Sequence, residues 1–203
     1  MGCEAIIQVG VLALQGDVRE HLAAFRRSGA EVRPVRTAED LTEVDGLGLP
    51  GGESTTMSRL IRAFGLETPL RQRLAAGMPT FSTCAGTILL SREIQDGVPD
   101  QLALGVLDVC TRRNGYGRQV QSFECDLDVA CLDDPLFRAV FIRAPVIEDC
   151  GRAVEVLAVH DQKAVAVRQG PHLSFTFHPE MTGDLRLHRL FVESLAAARD
   201  SAA

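Results

Sequence analysis

The sequence predicts an α/β fold: a doubly wound, mostly parallel sheet with an antiparallel extension in its C-terminal half. Three observations predict it. The apolar run at residues 6–14 is nearly unbroken, as expected of a strand buried on both faces. Strand patterns alternate with helical patterns through the first ninety residues, the rhythm of βαβ units. Aromatics are scarce, with nine Phe, one Tyr and no Trp, so Ala, Val, Leu and Ile must fill the core. At 203 residues, 46% hydrophobic and 24% charged, the chain suffices for one full-sized core, and residues 1–203 are expected to form a single domain.

The elements follow in order. The break at Gln15-Gly16-Asp17 ends the first strand, and Val18, Leu22 and Phe25 recur at helical spacing until Gly29. "EVRPV" returns as a second strand. "DGLGLPGG" is a third strand ending in a Gly-Gly turn, and Met57, Leu60, Ile61 and Phe64 mark another helix after it. A further helix over 67–76 passes through Gly77 and Pro79 into the strand "TFST", followed by a helix reaching Leu90. Beyond Gln101 the helices drop out. Strands near 104–111, 123–127 and 141–144 are separated by turns, and "VEVLAVHDQKAVAVRQ" is a hairpin closed at 160–163. "HLSFTFHPE" is the last strand, and 184–199 a final amphipathic helix with Leu187, Leu190, Phe191 and Leu195 on one face.

Composition excludes several classes of function. A net charge of −6 and a pI near 5.4 do not suit a nucleic-acid surface, which needs clustered cations. The six cysteines show neither CxxC pairs nor Cys/His ligand spacing, so no metal site and no disulfide framework is expected; reduced thiols in the cytoplasm fit best. "MGCEAIIQVG" lacks the regions of a signal peptide, Ile6 stands where a myristoylation motif needs Ser or Thr, and no apolar run is long enough to span a membrane.

The residues able to do chemistry lie where strands give way to helices. In "STCAG", small residues surround Cys84 at a strand-to-helix junction, the arrangement of a nucleophile elbow. The positive end of a helix dipole favours a thiolate there. A buried structural cysteine is the alternative. A nucleophilic thiol needs an oriented base, and His178 heads "HPE", with Glu180 two residues on and able to project to the same side of an extended segment. Alternatively, "HPE" is a strand end stopped by proline. "LPGGES" ends another strand, and N–H groups near Gly51 and Gly52, with that of Ala85, could meet an oxyanion. It lacks the Lys of a Walker A loop and the spacing of GxGxxG. In an open α/β sheet all three elements would sit at the strand C-termini.

The order "LPGGES", small-x-C-A-G and "FHPE" resembles the class I glutamine amidotransferases, which release ammonia from glutamine for a partner synthase. "GVLALQGDVREH", "LPGGESTTM", "TCAG", "RNGYGRQ", "SFE", "FIRAP" and "FHPE" narrow the resemblance to the glutaminase subunits of pyridoxal 5′-phosphate synthases and cover nearly the whole chain.

This resemblance implies a flavodoxin-like fold with Cys84 as nucleophile, His178 as acid/base and Glu180 as its orienting carboxylate. It implies an oxyanion hole at Gly52 and Ala85, and a glutamine site lined by Gly52, Glu53, Ser54, Arg113, Ile142 and Arg143. Arginine is a natural clamp for the substrate carboxylate. No cofactor or metal is implied. The implied partners are L-glutamine and a ring-forming synthase subunit, with Gln15, Arg19 and His21 expected to contact the latter. One position departs from the pattern: Ser82 stands where the family has glycine, adding a Cβ and a hydroxyl where strand and helix crowd. The competing readings are a glutaminase of another pathway, such as that of imidazole glycerol phosphate synthase, and a non-catalytic binding or redox-sensing member of the fold.

Overall fold

The computed structural model describes residues 6–113, 115, 122–133 and 136–201. β1 (Gln8–Leu12) leads into α1 (Val18–Arg27), and Gly29, at φ +97°, turns the chain into β2 (Glu31–Val35). α2 (Ala38–Thr42) is a five-residue helix absent from the expectation, held by a capping box: Asp40 N–H donates to Thr37 Oγ1 at 3.1 Å and Thr37 N–H to Asp40 Oδ2 at 3.0 Å. β3 (Gly46–Leu49), α3 (Ser54–Ala63), α4 (Glu67–Ala75), β4 (Thr80–Thr83) and α5 (Ala85–Leu90) follow as expected. Phe64 caps the C-terminus of α3 and is 57% exposed, while Met57 and Ile61 carry the buried face.

The second half holds β5 (Ser91–Gln95), β6 (Leu107–Arg112), β7 (Ser122–Leu127), β8 (Phe137–Ile142) and β9 (Val146–Cys150). Then come β10 (Glu155–His160), β11 (Lys163–Gln169), β12 (His172–Phe175) and α6 (Arg186–Asp200). β5 and β9 were not expected. The β10–β11 hairpin turns through Asp161 and Gln162, both at positive φ, the two-residue turn whose twist matches the flanking strands.

The main sheet runs β2-β1-β3-β4-β12-β11-β9-β6-β5, with β10 on β11, and β7 and β8 form a separate antiparallel pair. From β2 to β12 all pairings are parallel; β12–β11, β11–β9 and β9–β6 are antiparallel. α1 and α6 cover one face through Phe25, Leu187 and Phe191, and α3, α4 and α5 cover the other through Met57, Leu70 and Leu89. The C-terminal ends of β1, β3, β4 and β12 therefore share one edge, with strand order reversing at β1. No helix among the described residues is long and apolar enough to cross a membrane.

Candidate active site

At that edge lies a cleft of about 360 Å³. Cys84 and His178 line it, as do Gly52, Glu53 and Ser54 after β3, Arg113 after β6, and Ile142 and Arg143 at the end of β8.

Cys84 sits between β4 and α5 with φ +46° and ψ −102°, a conformation that a non-glycine residue holds only when its surroundings impose it. Here they do. Cys84 N–H donates to Phe175 O of β12 at 2.8 Å, and Thr87 Oγ1 donates to the same carbonyl at 2.7 Å. A side chain on Gly86 would run into Leu49 O, so α5 can meet β3 only with glycine there. The Cys84 sulfur lies 3.9 Å from Ile142 O. Burial pushes the thiols of Cys110, Cys125, Cys131 and Cys150 up, away from the nucleophilic form.

Ser82 is fully buried, and its hydroxyl is paired. Ser82 Oγ lies 2.7 Å from Ser174 Oγ, the residue it faces on β12, and Ser174 Oγ donates to Thr87 Oγ1 at 2.9 Å. The Ser82 hydroxyl is thus absorbed into a chain joining β4, β12 and α5.

His178 and Glu180 meet through a turn rather than an extended segment, because Pro179 opens a short 3₁₀ turn over Pro179–Met181. His178 Nδ1 lies 2.8 Å from Glu180 Oε1 and 3.3 Å from Asp17 Oδ2. Its Nε2 is buried with no hydrogen-bond partner among the described residues. Burial alone would lower the imidazole, but the neighbouring Asp17, Cys84 and Glu180 raise it far above the ordinary histidine range. Glu180 goes the other way: its burial opposes ionisation, yet His21 and His178 together hold the carboxyl well below its usual range. Asp17, His178 and Glu180 also offer ligand atoms within 4.8 Å of one another. The His178 Nδ1 that would serve as a ligand is already engaged with oxygens of both carboxylates.

The Gly51-Gly52 turn is clamped from the loop after β1. Gly51 O accepts from Asp17 N–H at 3.1 Å, Glu53 N–H donates to Gln15 Oε1 at 2.8 Å, and Gly52 takes φ +152°. Since a trans peptide points its C=O and N–H oppositely, this clamp fixes the direction of the Gly52 N–H. Ala85, as the first residue of α5, has no carbonyl one turn back for its N–H. Glu53 caps α3 through Thr55 and Thr56; burial opposes its ionisation, but these hydrogen bonds bring the carboxyl down to about 2. Arg113 Nη2 then reaches Glu53 Oε1 at 3.1 Å and its Nη1 reaches Gln101 Oε1 at 3.1 Å, while Gln101 Nε2 donates to Ser54 Oγ at 2.7 Å. Arg143 is exposed with φ +45°.

Among the expected partner contacts, Gln15 is half-buried at the clamp and the Arg19 side chain is 93% exposed. His21 is a correction. It is fully buried on the inner face of α1, against Phe25, Phe81 and His188, and offers nothing to a docking surface. Asp17, Gln101 and Thr83 join the site without having been singled out. Residues 114 and 116–119 of "RNGYGRQ" lie outside the described residues.

The SNO glutamine amidotransferase family matches residues 11–197. The pyridoxal 5′-phosphate synthase subunit PdxT of Parafrankia sp. (strain EAN1pec) is 59% identical over 92% of each chain, and the protein of the same name from Mycobacteroides abscessus is 58% identical over 93% of this chain and 97% of its own. A crystal structure of a glutamine amidotransferase superposes with a TM-score of 0.86 at 52% identity, covering 93% of this chain and 98% of the other. The PurLQS structure from Thermotoga maritima, at 16% identity and TM-score 0.65 over 96% and 98% of the two chains, shares the fold.

Proposed function

The chain belongs to the SNO glutamine amidotransferase family, and from that premise we propose that it is the cytoplasmic glutaminase subunit of a pyridoxal 5′-phosphate synthase, working through Cys84, His178 and Glu180. The observation that carries this reading is the strained Cys84 at the strand–helix elbow, sharing one cleft with a His178–Glu180 pair at 2.8 Å.

The Cys84 thiolate attacks the side-chain carbonyl carbon of glutamine, and the resulting oxyanion is met by the N–H groups of Gly52 and Ala85, each such donor supplying about 3 kcal/mol. The intermediate collapses with C–N cleavage, and His178 gives its Nε2 proton to the departing nitrogen, which leaves as ammonia. Now neutral, His178 takes a proton from the water that attacks the thioester; the C–S bond breaks, glutamate is released, and the Cys84 thiolate and the protonated His178 are restored. Glu180 holds the Nδ1 proton throughout, which fixes the ring and stabilises its charge. Arg113 binds the substrate carboxylate, with Glu53 and Ser54 framing the amino-acid end and the Ile142-Arg143 backbone closing the other wall.

The ammonia goes to a synthase subunit that joins a pentose phosphate and a triose phosphate into the pyridoxal ring. With that subunit present, Cys84→Ala should abolish ammonia release from glutamine while the fold survives, and Glu180→Gln should cost less, since it weakens orientation without removing the nucleophile. Ammonia release persisting in Cys84→Ala would sink the assignment.

A further inference from the structure

His21 has no place in the triad, yet it is built into the same hydrogen-bonded cluster. Its Nε2 lies 3.4 Å from Glu180 Oε1 and 3.1 Å from Thr83 Oγ1, and its side chain, like that of Glu180, has no solvent exposure. An ionised carboxylate oxygen only accepts, so Nε2 must carry the hydrogen; an unprotonated nitrogen there would set lone pair against lone pair. That N–H exists in both the neutral Nε2–H tautomer and the cation. Phe25 and Phe81, with ring centroids 6.0 Å away, and His188, at 5.7 Å, hold the imidazole from behind. No hydrogen bond reaches Nδ1 among the described residues, so the ring is anchored through Nε2 alone.

We propose that His21 is a positioning residue for this glutaminase site: its Nε2–H supports the Glu180 carboxylate from the core side and ties it to Thr83, the residue immediately before Cys84. Glu180 must stay ionised while buried. His178 Nδ1 and His21 Nε2 both engage Oε1, and Oε2 has no partner among the described residues. Removing His21 therefore halves the donors on a charge that water cannot reach, a costly deletion. Thr83 gives the arrangement a second use. It ends β4, so the elbow that aims the thiol and the turn that carries the acid/base share one anchor on α1. The inference rests on the glutaminase reading and adds to it a residue outside the triad.

The groups facing Glu180 are His178 on its own turn, His21 from α1, His188 from α6 and, through the His178 ring, Asp17 at the start of α1. Of these, His21 is the one whose loss removes a donor without touching the cleft. The test measures glutamine hydrolysis, with the synthase subunit present, across pH for wild type, His21→Leu, His21→Gln and Thr83→Val, with thermal unfolding of each. Losing a hydrogen bond to a charged group costs about 10- to 100-fold, so His21→Leu should lose that much kcat with KM little changed. Its acid limb should move to higher pH, because a less supported Glu180 takes up a proton sooner. Glutamine's amide can place an N–H near the lost Nε2, so His21→Gln should recover most of the turnover and the wild-type limb. Thr83→Val should lower turnover less than His21→Leu. Full activity in His21→Leu overturns the proposal, and so does equal impairment of Leu and Gln variants with an unshifted acid limb. If His21→Leu does not fold, His21→Gln with wild-type stability but the full loss of turnover also overturns it. Wild type unable to hydrolyse glutamine would instead remove the glutaminase reading itself.

Discussion

Arg113 Nη2 lies 3.1 Å from Glu53 Oε1, across 60 residues of sequence, and its other terminal nitrogen is held at the same distance by Gln101. A guanidinium braced on two sides presents its remaining N–H groups in a fixed direction, which lysine cannot imitate. Arg113→Lys should therefore raise KM for glutamine about 10-fold or more while kcat falls much less. Gln101→Leu, which removes one brace, should raise KM by a smaller factor. Steady-state kinetics decide it; a kcat loss at unchanged KM would mean that Arg113 acts on the chemistry instead.

Ser82 gives a graded prediction. Ser82→Gly removes one member of the buried hydroxyl chain but leaves the Ser174 to Thr87 bond, so turnover should stay within a few-fold, with about 1 kcal/mol of stability lost. Ser82→Leu must push β4 away from β12 and α5, at a cost of about 1–3 kcal/mol, and should collapse activity because Cys84 is two residues on. A fully active Ser82→Leu would show that the elbow does not depend on this contact.

His188 links stability to acid. Burial and the neighbouring His21 bring its imidazole down to about 3, and neither ring nitrogen has a hydrogen bond among the described residues. The folded pKa lies below the unfolded one, so the contribution of this group is fully present above the unfolded value near 6.5 and is lost as pH falls from there towards 3. The raised His178 acts oppositely, and its contribution is lost as pH rises. His188→Phe, which keeps a ring against Phe25 and Phe81, should narrow the difference in Tm between pH 7 and pH 5. An unchanged difference would show that another group carries the acid sensitivity.

The clamp on the Gly51-Gly52 peptide suggests how a partner could govern activity. The Asp17 N–H and Gln15 Oε1 bonds tie that turn to the loop leading into α1, whose exposed Arg19 is available for docking. The isolated chain should be a poor glutaminase, strongly stimulated by the synthase subunit, and Gln15→Ala should lose part of that stimulation. Ammonia assays with and without the subunit test this. Full activity alone, unchanged by the partner, would reject the coupling.

The parallel half was legible because each of its elements carries a local signal: the apolar run before Gln15, the Gly-Gly turn after Leu49, the small residues around Cys84. β5 and β9 escaped because "SREIQ" and "VIEDC" are half polar and gain strand character from their pairing, β5 with β6 and β9 with β6 and β11. The site divided in the same way. Cys84, His178 and Glu180 announce themselves by spacing. Gln101 is drawn in from 47 residues beyond Ser54, and nothing near it in the chain marks that contact. His21 was misplaced at the surface for a related reason: the loop "QGDVREH" locates it near the catalytic edge but does not reveal which face of α1 turns inward. Phe25, four residues on and wholly buried, was the signal that could have shown it.

The central claim, that Cys84 is the nucleophile of a glutamine-specific cleft, is tested most directly by covalent labelling. A diazoketone analogue of glutamine, incubated with the chain and its synthase partner and mapped by peptide mass spectrometry, should modify Cys84 alone among the six thiols, since the analogue is drawn to the cleft that Cys84 lines and burial raises the thiols of Cys110, Cys125, Cys131 and Cys150. Excess glutamine should protect Cys84, and His178→Ala should slow its labelling. Modification spread over several cysteines, or labelling of Cys84 that glutamine does not protect, would contradict the account.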